Sequence, residues 1–143
     1  IGAAAGVDDG RQVINFDGDG SFLMTGMEMV TAGIYNIPVK TIVLNNDFQG
    51  MVKQWQDLFF QKRYSGTPMH NPNFCKLGQA MGVKGLYCDD KKDIAKTIDQ
   101  MLEHDGPVLA EFKVDKEEHV YPMVAVGKAV HEMILPPGQK SLY

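Results

Sequence analysis

The sequence predicts an α/β fold, a doubly wound and mainly parallel sheet flanked by helices and followed by a C-terminal tail. Three observations predict it. Short apolar runs with β preference alternate with segments of helical period, the pattern that layers helices on a parallel sheet. The run at residues 39–44 is nearly continuous in apolar character, as expected of a strand covered on both faces. The first two runs end in Gly18-Asp19-Gly20 and in Asn45-Asn46, which is loop chemistry at strand ends.

Taken in order, residues 1–6 are small and read as the end of a helix packed closely on its neighbours. With neither an initiator Met nor a basic leader there, the chain is expected to begin inside something larger. Residues 12–16 read as a buried strand running into the Gly18-Asp19-Gly20 loop. A helix should follow, capped by Ser21, carrying Phe22, Leu23, Met27, Val30 and Ile34 on its apolar positions and stopped by Asn36 and Pro38. The strand at 39–44 completes a βαβ unit, whose right-handed crossover brings both loops to one sheet edge and Asp19 close to Asn46. Beyond it we expect helices at 51–60 and 73–81, a strand at 84–88, an amphipathic helix at 93–103 and a last strand at 107–114. Residues 115–118 are a solvated break, so the chain divides into an α/β domain at 1–115 and a tail at 116–143 that packs near the functional site.

Composition narrows the function classes. At 143 residues and 44% hydrophobic, the chain fits one globular domain with a single sizeable core. Fourteen basic and eighteen acidic residues leave a net charge of −4 without a run of one sign, so nucleic acid is not an expected partner. No apolar stretch approaches the roughly 20 residues that span a bilayer, so no membrane partner is expected either. Cys75 and Cys88 form no C-x-x-C pair and are expected to be reduced, semi-buried thiols. Small-molecule chemistry remains.

Gly18 and Gly20 let the backbone approach an anion closely, but Asp19 between them would repel a bare phosphate. A hard cation reconciles the two. Mg²⁺ takes oxygen ligands and is commonly shared between one or two protein oxygens and substrate phosphates, a role that Asp19, the Asn46 amide oxygen and a nearby carbonyl suit. Two decoys fail here. Asn15, Asp17, Asp19 and Gly20 imitate the opening of an EF-hand loop, yet Gly26 stands where a bidentate Glu is required, and no P-loop sequence is present.

Gly18-Asp19-Gly20 followed by Asn45-Asn46 resembles the signature by which thiamine-diphosphate enzymes hold Mg²⁺ and the cofactor's diphosphate. Phe48-Gln49-Gly50-Met51-Val52, Gln54-Trp55-Gln56, Arg63-Tyr64-Ser65, Asn71-Pro72 and Tyr121-Pro122-Met123-Val124 are similar, in the same order, to the acetohydroxyacid synthase (acetolactate synthase) family. That resemblance covers nearly the whole chain. It implies the thiamine-diphosphate-binding fold and the condensation of two 2-oxoacids with loss of CO₂. The products would be 2-acetolactate or 2-aceto-2-hydroxybutyrate, at the first common step of branched-chain amino acid biosynthesis.

The resemblance further implies Mg²⁺ ligation by Asp19, Asn46 and the main-chain oxygen of Phe48. Gly18, Gly20, Ser21, Met24, Gln49, Gly50 and Met51 would line the cofactor, and Val52 and Trp55 would wall a substrate channel. In the family the matching tryptophan also stacks on sulfonylurea and imidazolinone inhibitors. FAD is implied mainly outside these residues, as are a homodimer or homotetramer and a separate regulatory subunit. The glutamate that activates the cofactor belongs, in the family, to the partner subunit's N-terminal domain, so no catalytic residue is expected in this stretch and the stretch alone should be inactive. The resemblance implies a cytoplasmic location in bacteria and a plastid or mitochondrial one in eukaryotes.

Plainer readings stand beside these. Met51, Val52, Trp55 and Phe59 form a stripe that in most helices is simply core; its place directly after Asn45-Asn46 favours a site. Lys53 and Gln54 are expected to face outward or to rim that site. The four histidines are expected at the surface, Lys91 to Asp99 on a solvated face, and Glu28 in a packing or capping role. Two other functions compete: a carboligase or oxidase of the same architecture, of glyoxylate carboligase or pyruvate oxidase type, and a non-catalytic Mg²⁺-dependent receiver domain using Asp17 and Asp19. The receiver lacks its phosphoacceptor, because Asn45-Asn46 occupies the strand end where an Asp should stand.

Overall fold

A computed structural model describes residues 1–139; the last residues of the expected tail, 140–143, lie outside them. Strands β1 (Val13–Gly18), β2 (Val39–Asn45), β3 (Lys84–Cys88) and β4 (Val108–Lys113) form one parallel sheet in the order β1-β2-β4-β3. Helices α1 (Gly2–Gly6), α2 (Asp19–Thr25), α3 (Met29–Ile34) and α5 (Phe74–Ala80) pack on one face and α6 (Ile94–Leu102) on the other, while α4 (Gly50–Phe59) follows the end of β2. The doubly wound architecture is therefore as predicted.

Alternation along β2 explains the two-sided core. Val39 and Val43 join Phe22, Met29, Ala32, Phe74 and Leu109 in one cluster, with the Phe22 and Phe74 rings edge to face at 5.6 Å. Ile42 points the other way and joins Met101, Val108, Ala110 and Phe112 beneath α6. Asn73 caps α5, its side chain accepting from the Lys76 amide at 2.8 Å.

Three expectations need correction. The first strand runs on to Gly18, which pairs with Leu44, and it is not buried: it lies at the sheet edge with Ile14 and Phe16 41% and 68% exposed. Both sit on the α6 face, and α6 reaches over β3 and β4 but leaves β1 open. The helix after it is broken into α2, a 3₁₀ turn at Gly26–Glu28 and α3; Phe22 packs against Gly26, where a Cβ would meet the ring at 2.6 Å. Ser21 does not cap that helix. Its residues begin at Asp19, and the Ser21 hydroxyl turns back to donate to Asp17 and to the Gly18 carbonyl.

Candidate cofactor and metal site

The sheet brings the ends of β1 and β2 side by side, and the loops that leave them touch. Asp19 opens α2 and is 3% exposed, its Oδ1 accepting from the Gly20 amide at 2.9 Å. From β2, Asn45 Oδ1 accepts from the Asp47 amide at 3.0 Å and Asn46 Oδ1 from the Phe48 amide at 3.1 Å, winding the chain into consecutive tight turns. Asp47 adopts φ 57°, a left-handed conformation that a short polar side chain tolerates. Residues 67–69 fasten this loop, Thr67 O accepting from Gln49 N at 2.8 Å and Asp47 O from Met69 N at 2.9 Å. Gly20 faces Gln49 across the join, where a Cβ would stand 2.7 Å from the Gln49 amide nitrogen.

Asn71, which the sequence offered no ligand role, organises this junction together with Asn45. Asn71 Nδ2 donates to Asp19 Oδ2 at 2.7 Å, Asn45 Oδ1 at 2.9 Å and Asp47 Oδ1 at 3.1 Å. Asn45 in turn donates through Nδ2 to Glu111 Oε1 at 2.7 Å. Asn71 was visible only as part of a likeness, because its partners are distant in sequence and no local spacing announces it. Asp47 also pairs with Lys113 at the end of β4. Burial acts most strongly on the Asp47 carboxyl and pushes it up, yet hydrogen bonds from Lys113 and Asn71 hold it below its ordinary value.

The helix after this loop departs from expectation on its polar side. Lys53 and Gln54, expected to face outward or to rim the site, are 2% and 1% exposed, whereas Met51 and Val52 are half exposed. Lys53 is buried because it is paired: its ammonium lies 2.8 Å from Asp57 and 3.0 Å from Glu117, under the Phe48 and Tyr64 rings. Gln54 exchanges two hydrogen bonds with the backbone of Val120, at 2.8 and 2.9 Å. His119, expected at the surface, is drawn in against Asp57 at 3.2 Å. The polar face of α4 thus holds the start of the tail, and its apolar stripe is left to wall a cavity of about 660 Å³ lined by Met51, Val52, Trp55, Gln56, Phe60, Arg63 and Ser65.

The donor set fits a hard divalent ion shared with a phosphate. It offers one buried carboxylate, amide and main-chain oxygens, and glycines at positions 20 and 50 where a Cβ would crowd Gln49 and Asn46. The N-termini of α2 and α4 carry no side-chain cap, which leaves backbone N–H groups for an anion. Ser21 and Met24 lie on exposed parts of α2, Met24 being 76% exposed. Glu28 is exposed at the start of α3 and its side chain makes no capping hydrogen bond, so neither expected role is seen.

The pattern of the family described as thiamine pyrophosphate enzyme, C-terminal TPP binding domain, matches residues 1–112. The chain belongs to this family. The match sets aside the receiver-domain reading. The chain is 54% identical over 86% of its length to the mitochondrial acetolactate synthase of Schizosaccharomyces pombe, of which it spans 18%. It is 45% identical over 94% of its length to the mitochondrial acetolactate synthase catalytic subunit of Aspergillus candidus, of which it spans 19%. Among solved structures it resembles a thiamine diphosphate-dependent 4-hydroxybenzoylformate decarboxylase of Rhodococcus jostii RHA1, with a TM-score of 0.69 and 28% identity over 74% of this chain and 20% of that one. It therefore spans about one fifth of the relatives it matches. None of its described helices is long and apolar enough to cross a membrane.

Proposed function

We infer that these residues are the cofactor-binding portion of an acetolactate synthase catalytic subunit, joining two 2-oxoacids with loss of CO₂. The observation that carries this reading is the extended likeness to proteins of that name across both the Asp19 loop and the α4 wall. When bound, thiamine diphosphate supplies the nucleophilic carbon and the electron sink for decarboxylation. This chain's residues hold and orient it. Asp19, the Asn46 amide and the Phe48 carbonyl would ligate Mg²⁺; Gly18, Gly20, Ser21, Met24, Gln49, Gly50 and Met51 would border the cofactor. Val52 and Trp55, on the exposed stripe of α4, would exclude water from the substrate's path.

FAD, a homodimer or homotetramer and a regulatory subunit belong to the same reading, with FAD and the cofactor-activating glutamate supplied by residues outside this stretch. Residues 116–123, held against α4, would keep the tail beside the site. The mitochondrial names of the fungal relatives support a mitochondrial location.

The test is Asp19→Ala in the full-length protein, which removes the anionic ligand from a hard-cation site. Mg²⁺-dependent binding of thiamine diphosphate, measured by calorimetry, and acetolactate formation from pyruvate should both be lost. Near-normal cofactor affinity in the variant would overturn the assigned site. Turnover of glyoxylate, or of pyruvate only with oxygen, would move the enzyme to another carboligase or oxidase of this architecture.

A further inference from the structure

Asn71 is the point at which the β1 and β2 loops are tied together, and half of its amide is unused. Its nitrogen serves three acceptors, Asp19, Asn45 and Asp47, with two hydrogens. Its Oδ1 is buried with no hydrogen-bond partner, the one such side-chain atom found among the described residues. Turning the amide over does not cure this, since it would set Oδ1 against three oxygens, two of them from carboxylates. The network fixes the orientation, and a buried acceptor in native proteins ordinarily has a donor.

We propose that Asn71 is a positioning residue for the divalent cation: Nδ2 aims the Asp19 carboxylate, and Oδ1 accepts a hydrogen bond from a water carried by the ion. Mg²⁺ bound through one or two carboxylates keeps several of its waters, which are strong donors. Groups that orient a metal's ligands from outside the coordination shell typically influence affinity by 10–100-fold. This role rests on the reading of the Asp19 loop as a Mg²⁺ and thiamine diphosphate site.

The experiment titrates Mg²⁺ into full-length protein at fixed thiamine diphosphate, following cofactor binding by calorimetry at a temperature where circular dichroism shows each protein folded. Asn71→Ala should raise the half-saturating Mg²⁺ about tenfold or more, while the half-saturating thiamine diphosphate at saturating Mg²⁺ stays within about twofold. A loss of packing alone would weaken both ligands together and lower the thermal midpoint; that result, or an unchanged Mg²⁺ requirement, overturns the proposal. Should Asn71→Ala fail to fold, Asn71→Ser, which retains a hydroxyl at the branch point, is read in the same assay with the same expectation. A wild-type protein without Mg²⁺-dependent cofactor binding would instead overturn the functional reading on which Asn71 depends.

Discussion

Asn45 and Glu111 are joined on one face of neighbouring strands, Asn45 Nδ2 donating to Glu111 Oε1 at 2.7 Å with both residues under 5% exposed. The bond ties the loop after β2 to the sheet's interior, because the other end of the Asn45 amide receives Asp47 and Asn71. Asn45→Leu leaves Glu111 buried without this donor and should cost about 1–3 kcal/mol or more. Replacing both, as Asn45→Leu with Glu111→Met, should cost less than the sum of the single changes. Additive losses in thermal or denaturant unfolding would show that the pair does not act as a unit.

Gly20→Ala separates the fold from the site. The added methyl meets the far end of the Gln49 side chain, which can move, so the stability change should stay near 0.5 kcal/mol. In the proposed site Gln49 would border the cofactor, so moving it should lower thiamine diphosphate affinity about tenfold, roughly 1.4 kcal/mol. Calorimetry beside a thermal melt gives both numbers; unchanged affinity would remove Gly20 from the cofactor border.

Lys53 is the buried pivot of the tail contact. Lys53→Met removes the ammonium from Asp57, whose side chain is 7% exposed but keeps Tyr64 and His119 as partners, and should destabilise the protein by about 1–3 kcal/mol in denaturant unfolding.

The pH dependence of the Lys53–Asp57 pair follows from both partners. Burial pushes the Asp57 carboxyl up, but hydrogen bonds from Lys53 and Tyr64 outweigh it and hold the group below its ordinary 3.8. Its stabilisation is therefore present above that value and is lost as pH falls through the lower folded value. Burial acts to lower Lys53, and the Asp57 and Glu117 hydrogen bonds raise it above its ordinary 10.5, so its contribution is full below 10.5 and lost only above the raised value. The stability gap between wild type and Asp57→Asn should narrow in acid as pH falls below the ordinary carboxylate range. A gap that widens in acid would contradict the pairing.

Trp55 stands between Met51, Val52 and Phe60 on the cavity wall, its ring edge to face with Phe59 at 5.3 Å. A wall residue can change without stopping the chemistry. Trp55→Leu in the full-length enzyme should keep appreciable acetolactate formation and lose at least about tenfold in affinity for the flat sulfonylurea and imidazolinone inhibitors of the family, or about 1.4 kcal/mol. Unchanged inhibition, or joint collapse of activity and thermal stability, would return Trp55 to a packing role.

What the sequence determined by itself is what local chemistry and period encode. Strand runs with Gly18-Asp19-Gly20 and Asn45-Asn46 at their ends specify a βαβ unit, and right-handed crossover then dictates that the two loops share an edge. Asn73, Lys84 to Cys88 and the apolar spacing of α6 were legible for the same reason. Tertiary structure decided what depends on partners far along the chain. Lys53 and Gln54 on α4 were expected to face outward or to rim the site, yet they are enclosed, because Asp57, Glu117 and the Val120 backbone meet their charge and hydrogen bonds there. Ile14 and Phe16 looked like core and lie open, since α6 covers only the far half of the sheet. Asn71 acquires its place only when its own loop is laid over the ends of β1 and β2, where oxygens contributed by separate segments converge on one amide nitrogen.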